Sequence, residues 1–182
     1  NVQAALAGAE RGFDILDEDV EKVWEGQDEL QNFNERIEFK NVSFRYPSRN
    51  TMVLNDINLS VKKSEVIAIV GMSGAGKTTL VDLLFRFFDA TSGSIIIDGR
   101  PIQEYKLTSL RRQLALVTQE TFLFNDTIWN NIAFGCEQEV TREEILEAAR
   151  AAHVDVFASK LDQRYDTILG ERGVKLSGGQ RQ

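Results

Sequence analysis

Nine consecutive residues, Gly71-Met72-Ser73-Gly74-Ala75-Gly76-Lys77-Thr78-Thr79, constrain this chain more than any other feature. They fit G-x-x-x-x-G-K-[ST], a phosphate-binding loop, and that motif carries weight when a strand leads into it and a helix leads out. Val66 to Val70 is an unbroken apolar run, which predicts a strand buried on both faces. Leu80, Leu83, Leu84, Phe87 and Phe88 then recur at helical spacing. Gly71, Gly74 and Gly76 let the backbone turn tightly and bring its N–H groups against phosphate oxygens. The helix opening at the loop adds unpaired N–H groups and roughly half a positive charge. Lys77 can reach β- and γ-phosphates, and the Thr78 hydroxyl is suited to ligate Mg²⁺. Gly71, Ser73, Gly74, Ala75, Gly76, Lys77, Thr78 and Thr79 are therefore the expected nucleotide-contacting set.

Composition narrows the classes. Hydrophobic residues make up 42% and charged residues 27% of the 182 positions, an ordinary globular balance. A net charge of −7 argues against general nucleic-acid binding through a basic surface. Cys136 is the only cysteine, so the chain has no internal disulfide framework and fits a reducing compartment. His153 is the only histidine, which argues against a histidine-based metal site or triad. No apolar run approaches the ~18 residues of a membrane span, and no signal-peptide pattern opens the sequence. Any link to a membrane is expected to come from elsewhere.

Along the chain, Val2, Leu6, Ala9, Phe13 and Leu16 form one helical stripe over residues 1–20, with Ala4, Gly8 and Gly12 as a small-residue row beside it. Residues 17–34 are acidic and polar and read as a linker. Ile37 and Phe39 alternate as in a strand, the phase slips near Asn41, and Val42, Phe44 and Tyr46 resume it, so a bulge is expected there. Leu54, Ile57, Leu59 and Val61 predict a second strand, Ile95 to Ile97 a third, and Asp98-Gly99 a hairpin turn. Leu114 to Val117 reads as a further apolar strand. From Asn125 to about Lys160 the pattern is helical, with Thr141 and Glu144 at capping-box spacing and His153 near a helix end as a structural residue. The sum is an α/β arrangement with an antiparallel annex.

A second constellation, Leu176-Ser177-Gly178-Gly179-Gln180, lies near the end of the sequence. Ser177 and Gln180 again have capping-box spacing, so a helix should start there, and two glycines in its first turn would leave backbone N–H groups open as an anion site. A phosphate-binding loop followed by Leu-Ser-Gly-Gly-Gln resembles the nucleotide-binding domain of an ATP-binding-cassette (ABC) transporter, over about Ile37 to Gln182. The likeness implies an α/β P-loop NTPase (RecA-like) core, an antiparallel β subdomain and an α-helical subdomain, the C-terminal part of the core missing. It also implies ATP and Mg²⁺ as ligands.

Further segments resemble the exporter branch. Phe44-Arg45-Tyr46-Pro47 is similar to the loop whose aromatic residue stacks on adenine, which gives that role to Tyr46. Gln119 matches the glutamine that contacts Mg²⁺ or the attacking water and senses the transmembrane domain. Phe122 to Ile128, with Asn131-Ile132, resembles the segment that follows. Leu169-Gly170-Glu171-Arg172-Gly173 is similar to the motif that touches the coupling helices, through Glu171 and Arg172. Residues 1–34 then look like a helix and linker leading from a transmembrane domain, and 35–182 like an incomplete nucleotide-binding domain on the cytoplasmic face of a membrane. Ser64-Glu65 departs from the family's usual Gly-Glu turn before the P-loop strand.

In this family two such domains stack head to tail. Ser177, Gly178, Gly179 and Gln180 would then bind the nucleotide held by a partner's P-loop, with Lys77 and Gln119 serving hydrolysis. No segment of the sequence stands where the family has its Walker B strand, D-loop or switch histidine; Asp98 follows an apolar run but enters a hairpin, and His153 precedes the signature. The alternatives at this point are a non-hydrolysing nucleotide-binding or interaction module and a soluble ABC-type ATPase of DNA repair or translation. Each missing preorganised group costs about 10²–10³ in rate. The purified polypeptide is therefore predicted to bind ATP weakly and to release phosphate at a negligible rate, and robust turnover in a steady-state assay would sink this expectation.

Overall fold

Phe39, Val42 and Phe44 all demand burial, yet their spacing of three and then two does not fit a regular strand, in which alternate residues share a face. The chain resolves this with an irregularity. In the computed structural model, which describes residues 9, 12, 13, 16, 17, 26–118, 121–136, 139–170, 173 and 176–182, strand β1 (Arg36–Phe44) loses register with both neighbours between Phe39 and Ser43. Asn41 takes a left-handed conformation at φ 52°, and all three apolar side chains enter the core. The bulge is held by Asn41, whose N–H donates to Asn58 Oδ1 at 3.0 Å and whose amide donates to Asp56 Oδ1 at 2.7 Å. Opposite it stands Gly93 at φ +79°, where an added Cβ would lie 2.2 Å from the Asn41 carbonyl oxygen. Only glycine fits that approach.

The described chain divides into two compact units, 1–115 and 116–182, each considered by itself. In the first, β2 (Leu54–Lys62), β1, β3 (Ser92–Ile97) and β4 (Arg100–Pro101) form an antiparallel sheet in the order β2-β1-β3-β4. Phe39 pairs with Leu59 on one side and with Ile95 on the other. Helix α1 (Lys77–Leu84) contributes Leu80 and Leu83 to the same core, and α2 (Leu107–Arg112) contributes Leu107 and Leu110. Each such buried aliphatic side chain stabilises the fold by roughly 1.5–3 kcal/mol.

Helix α1 ends sooner than the apolar spacing implied. Phe87 and Phe88 lie beyond it, because Arg86 adopts φ 52° and turns the chain. The buried Arg86 guanidinium donates to Ile102 O at 3.3 Å. Arg111 donates to Phe85 O at 3.0 Å and Arg86 O at 3.3 Å, and lies 5.1 Å from the centroid of the Phe87 ring. A cation on the last carbonyls of a helix also favours its dipole.

Two expected strands are corrected. Val66 to Val70 carries no strand pairing among the described residues, and Val66 and Val70 are 96% and 91% exposed. Leu114 to Val117 likewise forms no strand. Apolar content states that a segment favours burial; strand formation also needs a partner edge, which the described residues do not supply to either run. The linker reading also needs amendment. Residues 26–34 are fastened to the first unit: Leu30 is buried and its N–H donates to Ser109 Oγ at 3.0 Å, and Asp28 bridges in parallel to Tyr105. Of the helix expected over 1–20, Ala9, Gly12, Phe13 and Leu16 are helical, and the rest of that expectation lies outside the described residues.

In the second unit, α3 (Ile128–Ala133), α4 (Arg142–Ala151) and α5 (Asp155–Ala158) surround a small core of Ile128, Ala158, Leu169 and Leu176. Thr141 and Glu144 form the expected capping box, and His153 ends the turn after α4 at φ 58°. Asn131 fastens the loop before α3, accepting from Phe124 N at 2.8 Å and donating to Phe124 O at 3.1 Å and Thr127 O at 2.9 Å.

Asp98, in the β3–β4 turn, accepts from the N–H groups of Asn34 (2.6 Å), Glu35 (2.8 Å) and Arg36 (2.9 Å), and so caps the start of β1. Partial burial raises the pKa of its carboxyl, but these three donors and nearby Lys63 outweigh it, and the net direction is downward. A carboxyl depressed in the folded state stabilises above its unfolded pKa, and that contribution is lost as pH falls through the folded value. Asp98→Asn is predicted to cost about 1–2 kcal/mol in urea unfolding at pH 7. The difference from wild type should shrink below about pH 4; a pH-independent difference would exclude the charge as the cause.

Candidate functional site

The loop from Gly71 to Gly76 reaches α1 through a backbone that side chains would block. Gly74 and Gly76 stand at φ +80° and +88°. Gly76 caps α1, and an added Cβ there would lie 2.7 Å from Leu54 Cδ2 and 3.1 Å from Val53 O. At Gly74 the same atom would meet nothing within 4 Å. One glycine is thus demanded by packing against β2, the other by conformation alone, with open space beside the loop.

No side chain caps α1 and no acidic residue lies in its first turn. Its first internal hydrogen bond runs from Leu80 N to Gly76 O at 3.0 Å, so the N–H groups of Lys77, Thr78 and Thr79 have no intrahelical acceptor. Residues 71–75 are exposed. Lys77 Nζ donates to Gly71 O and Met72 O, both at 2.8 Å, which keeps its ammonium on the loop itself. Thr78 is exposed, available to an incoming cation or phosphate, whereas Thr79 is buried. Uncommitted N–H groups, a helix N-terminus, one ammonium and one free-standing hydroxyl are the donor set that a nucleoside triphosphate with Mg²⁺ requires.

Tyr46 belongs to this group in space. Its hydroxyl lies 2.9 Å from Thr79 Oγ1. Its ring meets Phe44 at 4.8 Å and Phe88 at 5.1 Å, each nearly perpendicular. Sequence reasoning placed Thr79 among the phosphate-contacting residues; its side chain is in fact engaged by Tyr46. It also missed Phe88 as a neighbour of the Tyr46 ring, since a helical spacing of apolar residues gives no sign of where the helix stops.

In the second unit, Ser177 Oγ accepts from Gln180 N at 3.4 Å and Gln180 Oε1 accepts from Ser177 N at 2.9 Å, capping α6 (Gly178–Arg181). An added Cβ at Gly178 or Gly179 would meet nothing within 4 Å, so the backbone there is open. Gln119, Glu171 and Arg172 lie outside the described residues.

Gly76 and Gly74 separate packing from conformation. Gly76→Ala adds a core clash to a left-handed backbone and is predicted to cost about 2–4 kcal/mol, against about 1 kcal/mol for Gly74→Ala. Urea denaturation of the two variants measures this; equal losses would sink the assignment of Gly76 as the packed glycine.

The comparisons with known proteins agree with this geometry. Residues 54–182 match the ABC transporter family. The chain is 51% identical over its whole length to 30% of an ATP-dependent lipid A-core flippase of Syntrophus aciditrophicus. It is 49% identical over 181 residues to 31% of the protein of that name in Coxiella burnetii. It thus spans about a third of the length of these curated relatives. A solved bacterial Atm1-family ABC exporter with ATP bound matches 99% of the chain at 39% identity and a TM-score of 0.80, over 32% of its own length. With the P-loop, the Leu-Ser-Gly-Gly-Gln segment and this fold in one polypeptide, the chain belongs to the ABC transporter family.

Proposed function

We propose that the chain is the greater part of the nucleotide-binding domain of an exporter-type ABC transporter, that it binds MgATP, and that at the full length of its relatives the protein uses ATP hydrolysis to drive transport. The observation that carries the reading is the uncapped start of α1, joined to the Lys77 ammonium and two left-handed glycines. Membership of the family and relatives named as ATP-dependent flippases support it.

In this reading the N–H groups of Lys77, Thr78 and Thr79 and the backbone around Gly74 hold the phosphates. Lys77 exchanges its bonds to Gly71 O and Met72 O for phosphate oxygens, at little cost because one set of charge-assisted hydrogen bonds replaces another. Thr78 supplies a hydroxyl ligand to Mg²⁺, and Tyr46 stacks on adenine. Mg²⁺, when bound, neutralises charge on the β- and γ-phosphates. Gln119 orients the water for in-line attack on the γ-phosphorus. Catalysis is mostly positioning and charge stabilisation, as for phosphoryl transfer in general.

Two such domains associate head to tail, so that Ser177, Gly178, Gly179 and Gln180 of one close on the γ-phosphate held by the other. The Ser177 hydroxyl already accepts from Gln180 N and keeps its own proton to donate. The Gln119 region, Glu171 and Arg172 meet the coupling helices of a transmembrane domain, which places the chain at the cytoplasmic face of a membrane. No described helix is long and apolar enough to cross a membrane, so the spanning part is assigned to the portion of the relatives that this chain does not cover. Their names make a lipid A-core the first cargo to test.

Hydrolysis by this chain and by a form extended to the length of its relatives, each with Lys77→Ala, tests the proposal. The extended form should turn over ATP, and Lys77→Ala should lower kcat/KM by about 10²–10³ or more. An extended form that does not hydrolyse ATP, or a Lys77→Ala variant as active as wild type, would reject it.

A further inference from the structure

Tyr46 and Thr79 are 33 positions apart, and no motif joins one to the other. Thr79 is the third residue of α1, so its N–H is one of the three uncommitted donors at the phosphate end of the site. Its side chain is buried and bonded to Tyr46. One residue therefore reaches both ends of the proposed nucleotide site, through its backbone at one and its hydroxyl at the other.

The surroundings of Tyr46 explain why that bond matters. Phe44 and Phe88 meet its ring at interplanar angles of 81° and 87°. Such edge-to-face contacts favour perpendicular rings, but neither neighbour belongs to α1. The bond to Thr79 Oγ1 is the contact that joins the ring to the helix that carries Lys77 and Thr78.

We propose that Thr79 is a positioning residue whose hydroxyl fixes the Tyr46 ring, so that the base-stacking group and the phosphate-binding backbone are held at a set separation by one hydroxyl–hydroxyl bond. This deepens the nucleotide-site reading above and rests on it. The coupling has a distinct signature. Tyr46→Phe and Thr79→Val remove the same bond, one keeping the ring and the other keeping the backbone donor, so their effects coincide instead of adding.

Calorimetric titration of the chain at the full length of its relatives, with MgATP and with inorganic tripolyphosphate as a ligand lacking the base, measures the effect. Tyr46→Phe and Thr79→Val are each expected to weaken MgATP binding about 3–10-fold. The double variant should bind within about twofold of either single one, and Thr79→Ser should restore wild-type affinity. Tripolyphosphate affinity should stay within about twofold for Tyr46→Phe, whereas a general loosening of the fold would weaken both ligands together and lower Tm. Wild-type MgATP affinity in Tyr46→Phe, multiplied losses in the double variant, or equal losses for the two ligands would each overturn the inference. Failure of the wild type to bind MgATP removes the nucleotide-site reading and this inference with it; binding by the wild type with additive variants removes the inference alone.

Discussion

The contact of Gly76 with Val53 and Leu54 sets the position of the Gly71–Gly76 loop and of the first turn of α1. At that point the backbone turns into α1 at φ +88° with the Leu54 side chain and the Val53 carbonyl against it. Because no Cβ intervenes, the first turn of α1 sits directly on the start of β2. Leu80 and Leu83 then enter the core shared with β1 and β3, while residues 71–75 remain exposed. A loop that must offer bare N–H groups cannot bury them without partners. Anchoring at its last glycine lets the loop be fixed and open together.

Elsewhere in the first unit, three non-glycine residues in left-handed conformations, Asn41, Arg86 and Asp98, mark where the chain changes direction, and these three are tied by polar groups. Asn41 in the bulge is held by Asn58 and Asp56, and the carboxylate of Asp98 in the hairpin receives three backbone N–H groups. Arg86 after α1 reaches Ile102 O while Arg111 takes its carbonyl. Asparagine and aspartate tolerate this region better than other side chains; for arginine the cost is about 1–2 kcal/mol. The cost at Arg86 is offset by a turn that brings Phe88 beside Tyr46. Backbone strain after the helix thus serves the aromatic group at the proposed base end of the site.

The second unit is built on a different economy. Its apolar core is small, and its loops are ordered by short-range side-chain bonds: Asp126 and Asn131 before α3, Thr141 with Glu144 at α4, Ser177 with Gln180 at α6. At α6 the same device leaves Gly178 and Gly179 with open space beside the backbone. That is the property a signature segment needs if a phosphate is to approach it.

The division between what was legible and what was not follows the range of the forces involved. The P-loop, the slip at Asn41, the Asp98-Gly99 turn and both capping boxes were readable because each is decided within a few residues, by Cβ sterics or by a side chain bonding to backbone three positions away. Family membership was readable because two such local motifs occur in one chain. Tertiary structure alone decided that Val66–Val70 and Leu114–Val117 form no strand here and that residues 26–34 are bound to Tyr105 and Ser109. It also decided that α1 ends at Leu84, where Arg86 turns the chain and Arg111 takes the carbonyls beyond the helix, and that the Thr79 hydroxyl pairs with that of Tyr46. The physical reason is common to all of these. A side chain's polarity and spacing determine what it requires, burial or a hydrogen-bond partner, but the group that meets the requirement comes from another part of the chain and is chosen by packing.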